Sequence, residues 1–174
     1  MSKLAFNVGS GQRPFESVFP EIRWINIDKV SRQGCVPDLR CDGTHLPHGD
    51  AVADYFVLHH VLEHLWQMDA KNMITEAYRV LKPGGSLLVF VPNMRALAIR
   101  WLEGNMDTQL YMTNVYGAFM GDPEDLHRHG YDPKSLCSFL IEIPWSRVIP
   151  FDWREITGAS ICKDWWILGM ECIR

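Results

Sequence analysis

The chain's 174 residues predict an α/β fold, a three-layer sandwich on a mostly parallel sheet with an antiparallel edge strand near the C terminus. Three observations predict it. Short apolar runs stop at turn-forming or polar residues three times in the first sixty positions. A segment with 3.6-residue periodicity runs through Lys82-Pro83-Gly84-Gly85 into Ser86-Leu87-Leu88-Val89-Phe90-Val91. That last run is apolar at successive positions, as a strand covered on both faces requires.

Leu4–Val8 is the first strand and ends in Gly9-Ser10-Gly11. Trp24–Ile27 ends at Asp28, and Ala53–Leu58 ends at His59-His60. Cys35-Val36 and Asp38-Leu39 offer a shorter strand that Pro37 confines to a weakly paired position. Between Met68 and Leu81, Ile74, Ala77, Tyr78 and Leu81 recur at i, i+3, i+4 and i+7, with Lys71, Glu76 and Arg79 off that stripe. Asp69 suits the first turn of this helix, and Pro83 with the following glycines stops it. Met94–Glu103 is expected to be helical. Gly104–Asp125 reads as an insertion, with 104–130 expected to form a lid. Asp132 and Pro133 open a helix through Leu140, as N-cap and first-turn residue. Trp165–Leu168 and Met170–Ile173 supply the last strand. Right-handed crossovers then place helices on both faces, and ligands bind outside the carboxyl ends of such strands. Gly9–Gly11, Asp28, Asp42–Thr44, His59–His60 and Pro92–Asn93 are therefore expected to be neighbours in one domain spanning 1–174.

Composition narrows the function. Hydrophobic residues make up 47% and charged residues 22%, ordinary globular values. A formal net charge of -4 opposes a phosphate-backbone binder, so nucleic acid is not an expected partner, although Arg95 and Arg100 allow a local basic patch. Five cysteines without a Cys-x-x-Cys pair make neither a zinc framework nor a disulfide scaffold, which favours a reducing compartment. The first apolar run is too short for a signal segment, and no run approaches the ~18–20 residues of a membrane span. The expectation is a soluble cytoplasmic protein without a membrane partner.

Gly9 and Gly11 permit close backbone approach to a ligand, or simply a strand-to-helix turn. Pro14 stands where a dinucleotide fingerprint needs its third glycine, which disfavours a nicotinamide dehydrogenase. Asp28 ends the second strand 17 residues after Gly11, where an acid can accept hydrogen bonds from both ribose hydroxyls. Capping the next turn is its plain alternative. Taken with the glycine loop, adenosine binding is the better reading.

Leu4–Gly11, Trp24–Asp28, Asp42-Gly43-Thr44-His45-Leu46-Pro47, Asp54–Leu65 and Glu76–Val91 together resemble the consecutive motifs of class I S-adenosylmethionine-dependent methyltransferases, in particular the small single-domain type 11-like group. Arg79-Val80-Leu81-Lys82-Pro83-Gly84-Gly85 and His60-Val61-Leu62-Glu63-His64-Leu65 are the most specific pieces. The resemblance implies a Rossmann-like sandwich that binds S-adenosylmethionine and releases S-adenosylhomocysteine. It implies that Gly9, Ser10 and Gly11 line the methionine end, that Asp28 and Lys29 lie at the ribose, and that Asp42, Gly43 and Thr44 lie at the adenine. His59 and His60 would lie over or under the cofactor. Asn7 departs from the acid common before the glycine loop, so it brings no charge to the cofactor's ammonium. The resemblance also implies that the N-terminal helices covering many relatives' active sites are missing before the first strand, which leaves the substrate side open or leaves its cover to 104–130 or to another subunit.

Methyl transfer to a protic acceptor needs a base, worth typically about 10²–10⁴-fold. The catalytic candidates are His127, His129 and Tyr131, just before the Asp132 cap, with hydrogen-bonded lid residues as the alternative. His127-x-His129 has metal-like spacing, but no third ligand is apparent in sequence, so no metal is expected. His64, four residues after His60, reads as structural, with Glu63 a candidate partner. Trp145, Trp153, Trp165 and Trp166 predict core packing or a homodimer surface, with an aromatic wall for an acceptor as the alternative. The expected acceptor is a small molecule or a glycan-type compound. A catalytically silent cofactor-binding partner or regulatory subunit is the competing class.

Overall fold

The structure is a computed structural model that describes residues 2–11, 22–31, 36–118, 123–152 and 166–174. Among the described residues, seven strands and four α-helices follow in the order β1 (Lys3–Val8), β2 (Ile22–Asp28), β3 (Leu39–Arg40), β4 (Ala53–His59), α1 (Gln67–Val80), β5 (Leu81–Pro92), α2 (Met94–Leu102), α3 (Thr108–Tyr116), α4 (Pro133–Leu140), β6 (Arg147–Pro150) and β7 (Ile167–Ile173). They form one sheet in the order β3-β2-β1-β4-β5-β7-β6. β1 to β5 pair in parallel, and β7 runs antiparallel to both β5 and β6. The reversed strand near the C terminus is as expected, but it lies one place in from the edge, because β6 pairs beyond it. Pro14, Cys35, Trp153, Cys162 and Trp165 lie outside the described residues.

Both faces of the central strands are apolar. Phe56, Leu58, Leu87, Val89 and Val91 join the large core, while Val57, Leu88 and Phe90 form a second cluster. Alternation along a strand sends these two sets to opposite faces. α1 lays Ala70, Met73, Ile74, Ala77 and Val80 on the first face. Fully burying side chains the size of Ile or Met contributes about 1.5–3 kcal/mol each. α4 starts with the expected cap: Asp132 accepts from the Ser135 amide at 2.7 Å, and the Asp132 amide donates to the Ser135 hydroxyl oxygen at 2.9 Å. Trp145 packs against the core, edge to face with Tyr78 at 5.1 Å.

Glu76 departs from the periodicity reading. It is buried, and its carboxylate accepts from the Leu46 amide at 2.7 Å and from Arg79 at 2.6 Å. Arg79 in turn donates to Asp50 and to the His48 carbonyl. This network fastens the loop after β3 to α1 and so fixes the position of Asp42–Thr44. Among the described residues, no helix is long and apolar enough to cross a membrane.

Candidate active site

The carboxyl ends of the parallel strands open into a cavity of about 780 Å³. Asn7, Gly9, Ser10 and Gly11 from the end of β1 line it, with Asp28 and Lys29 from β2 and Asp42, Gly43 and Thr44 after β3. His59 and His60 from the end of β4 and Pro92 from β5 complete that wall. Thr113 and Asn114 of α3, with Glu124, Asp125 and His127, face it from the segment after β5.

Each turn is shaped by its residues. Gly9 has φ +72°, and a Cβ there would lie 2.6 Å from Val61 Cγ2. Its amide, and that of Ser10, donate to the Ile27 carbonyl at 2.8 and 3.1 Å, tying the glycine loop to β2. Asp28 accepts from the Gly11 amide at 2.8 Å and from the Val30 amide at 2.9 Å. It therefore braces the turns, as the capping alternative expects, and also faces the cavity. A carboxylate has about four lone-pair sites, and these bonds take two. Asp42 is likewise a turn acid on the cavity wall, accepting from the Thr44 amide and hydroxyl at 2.8 Å. The Thr44 amide above all holds its carboxyl below the usual range, against the opposing effect of burial. At Gly43 a Cβ would fall 2.3 Å from Val8 Cγ1 and 2.9 Å from the Met73 sulfur, so only glycine fits. Ser10 Oγ is buried and has no hydrogen-bond partner among the described residues. Asn7 is turned to Asn26, its Nδ2 donating to Asn26 Oδ1 at 2.9 Å. Lys29 reaches across the mouth to Glu124 at 2.7 Å.

Comparison with known proteins agrees with this architecture. Residues 20–89 match the family model described as "Methyltransferase domain". A relative from Mycolicibacterium smegmatis, described as "Probable S-adenosylmethionine-dependent methyltransferase", is 48% identical over 48 residues, 28% of this chain and 18% of that protein. The chain thus spans less than a fifth of that curated relative. A SAM-dependent methyltransferase from Archaeoglobus fulgidus superposes with a TM-score of 0.63 at 14% identity, covering 99% of this chain and 86% of the other. Residues 20–89 thus resemble a methyltransferase domain, and the chain shares the fold of the Archaeoglobus fulgidus enzyme. Burkholderia thailandensis 1,6-didemethyltoxoflavin-N1-methyltransferase, solved with 1,6-didemethyltoxoflavin and S-adenosylhomocysteine, has the same fold with a TM-score of 0.58 at 13% identity, covering 99% of this chain and 71% of its own.

The cavity wall after β4 carries a histidine–glutamate cluster that sequence spacing only half revealed. Leu62–His64 form a 3₁₀ turn rather than an α-helix, so His60 and His64 do not share a helical face. His60 adopts φ +56° and brings Nδ1 to 2.8 Å from Glu63 Oε1. The Glu63 carbonyl accepts from the Arg128 and His129 amides at 2.7 and 3.1 Å, and Arg128 donates to the His64 carbonyl at 2.6 Å. Burial pushes the Glu63 carboxyl up, but the His60 bond and the charges of His60 and His64 outweigh it, leaving it below the usual range. His127 Nδ1 is 2.8 Å from the Asn114 carbonyl, and burial lowers its pKa. Its ring meets His64 edge to face at 4.6 Å.

His127 therefore converges with Glu63 and His64 rather than with His129. One polar atom from each of the three lies within 4.8 Å of the others, and Glu63 Oε2 and His64 Nδ1 are buried without a hydrogen-bond partner among the described residues. A metal ion could draw three ligands from this set. His129 is exposed and lies off the cavity, against Tyr131 at 4.6 Å. Tyr131 is buried beside a separate shallow hollow with Met94 and Arg95, and burial followed by the Glu63 charge pushes its phenol well above its ordinary range.

Proposed function

We propose that the chain binds S-adenosylmethionine in this cavity, transfers its methyl group to a small-molecule or glycan-type acceptor, and releases S-adenosylhomocysteine. The observation that carries the reading is that the turns after residues 8, 27, 41 and 58 line a single cavity. The residues fit the ligand. Gly9 and Gly11 line the cavity in left-handed backbone conformations, Ser10 Oγ is a buried hydroxyl without a hydrogen-bond partner among the described residues, and Asp28 keeps lone pairs for ribose hydroxyls. Lys29 lies beside that acid, Asp42 and Thr44 stand where an adenine edge would lie, Gly43 backs the ring, and His59 closes the side toward β5. When bound, the cofactor supplies an electrophilic methyl group on a sulfonium. The chain's part is to align the acceptor, remove its proton and keep water out, with 104–130 as the lid. Alignment alone can contribute up to roughly 7–11 kcal/mol in ideal cases.

Of the three catalytic candidates, His127 is the one on the cavity wall, whereas His129 and Tyr131 support the segment that carries it. A cytoplasmic location is in keeping with Cys41, Cys137 and Cys172, which are free thiols. Exposed Leu102, Leu110 and Tyr116 on α2 and α3 support a homodimer contact, which sedimentation at two concentrations tests. Asn7 favours a second reading, a catalytically silent partner subunit, because its amide is tied to Asn26 and brings no charge to the cofactor. Calorimetry with S-adenosylhomocysteine tests the shared part: one-to-one binding is expected, and no binding refutes both. Labelled methyl transfer into small-molecule and glycan extracts separates them.

A further inference from the structure

We propose that His60 is the base that takes the acceptor's proton and that Glu63 is its positioning residue. This rests on the methyl-transfer reading above and moves His60 from holding the cofactor to facing the acceptor. The imidazole lines the cavity with its side chain 30% exposed, whereas Glu63 behind it is 1% exposed. An ionised carboxylate only accepts hydrogen bonds, so the 2.8 Å contact places the ring proton on Nδ1 and leaves the lone pair on Nε2. Nε2 makes no hydrogen bond among the described residues. This is the nucleophile-side geometry of a base oriented by a buried acid.

The backbone supports the same assignment. A non-glycine residue at φ +56° is strained, and the fold retains it by bonding the His60 amide to the Phe90 carbonyl at 2.9 Å. Glu63 is fixed in turn by the Arg128 and His129 amides on its carbonyl. The groups facing the pair are His59, edge on at 4.7 Å, the His64 and His127 rings, Asp125 on the cavity wall, and Tyr131 within reach of the Glu63 charge. In the reaction the acceptor's O–H or N–H proton passes to Nε2 as the acceptor atom bonds the methyl carbon. The methyl–sulfur bond breaks with its electron pair remaining on sulfur. The resulting imidazolium is neutralised by Glu63 until water removes the proton.

The test needs no acceptor. Ring-nitrogen NMR on the labelled chain is expected to show neutral His60 protonated on Nδ1. Diethyl pyrocarbonate, which attacks an imidazole lone pair, is expected to modify His60, with S-adenosylhomocysteine slowing it several-fold when read by mass spectrometry. Glu63→Gln, whose amide can donate to Nδ1 and drive the proton to Nε2, is expected to slow modification about tenfold, and Glu63→Asp to restore part of the rate. Should Glu63→Gln fail to fold, the tautomer of the parent chain still decides. S-adenosylhomocysteine binding with the proton on Nε2, or with a modification rate indifferent to Glu63→Gln, overturns this inference alone. Absence of S-adenosylhomocysteine binding overturns it together with the methyl-transfer reading.

Discussion

Replacing Gly9 by alanine tests how the cavity's first turn is built. Two costs add. An L-residue at φ +72° pays about 1–2 kcal/mol for the left-handed conformation. The new methyl would lie 2.6 Å from Val61 Cγ2, far inside the ~3.5–4.0 Å optimum for carbon pairs. Val61 is itself buried, so it has little room to yield, and overpacking of this kind costs about 1–3 kcal/mol. The sum, about 2–5 kcal/mol, is a large share of the roughly 5–15 kcal/mol that holds a typical domain. Urea unfolding followed by circular dichroism should show it, with a melting temperature lower by about 5–15 °C. Val61→Ala in the same chain removes the clash and leaves the backbone strain. The double variant should therefore be more stable, by about 1–2 kcal/mol, than the two single effects added together. A Gly9→Ala chain within about 0.5 kcal/mol of the parent, or strict additivity with Val61→Ala, refutes the reasoning.

Asp28→Ala should weaken S-adenosylhomocysteine binding more than tenfold by calorimetry, because it removes the ribose acceptor and releases the Gly11 and Val30 amides; unchanged affinity removes its role. Glu76→Gln should cost about 1.5–3 kcal/mol through its charged hydrogen bonds to Leu46 and Arg79. Burial raises the Glu76 carboxyl pKa, but the Arg79 and Leu46 bonds outweigh it and leave the folded value below the unfolded one. Its stabilisation is therefore full above the unfolded value near ~4.3 and is lost as pH falls through the folded value. Acid titration of stability should show a shallower loss in Glu76→Gln, and an identical acid limb refutes the assignment. Lys29→Gln should change stability by less than about 1 kcal/mol, because both partners of the Lys29–Glu124 bridge are near half-exposed, and ~1 M salt should erase the difference.

The strands that build the cavity were legible because each couples an apolar run to a specific stop. Gly9, Asp28 and His59 mark the ends of β1, β2 and β4, and chain order with right-handed crossovers brings those ends together. β6 gave no such signal. Its four residues are exposed at both ends and only half-buried between, so nothing in Arg147–Pro150 alternates strongly enough to stand out. α3 likewise buries no residue, and its start is set by Asp107, which caps Gln109 and Leu110. Glu76 reads as a surface acid by periodicity because the Leu46 amide that buries it lies thirty positions earlier. The His60–Glu63 contact was hidden for a different reason. Helical spacing pairs His60 with His64, whereas the left-handed His60 and the 3₁₀ turn fold Glu63 back instead. His60-x-x-Glu63 was the available signal, and it needed the turn geometry to be read.

The most direct measurement is amide NMR of the chain titrated with S-adenosylhomocysteine. The account predicts saturable shifts at Gly9, Ser10, Gly11, Asp28, Asp42, Gly43, Thr44, His59 and His60 that share one binding curve. Shifts confined to Met94, Arg95 and Gly130 at the separate hollow, or shifts at the four turns that follow different curves, would contradict it.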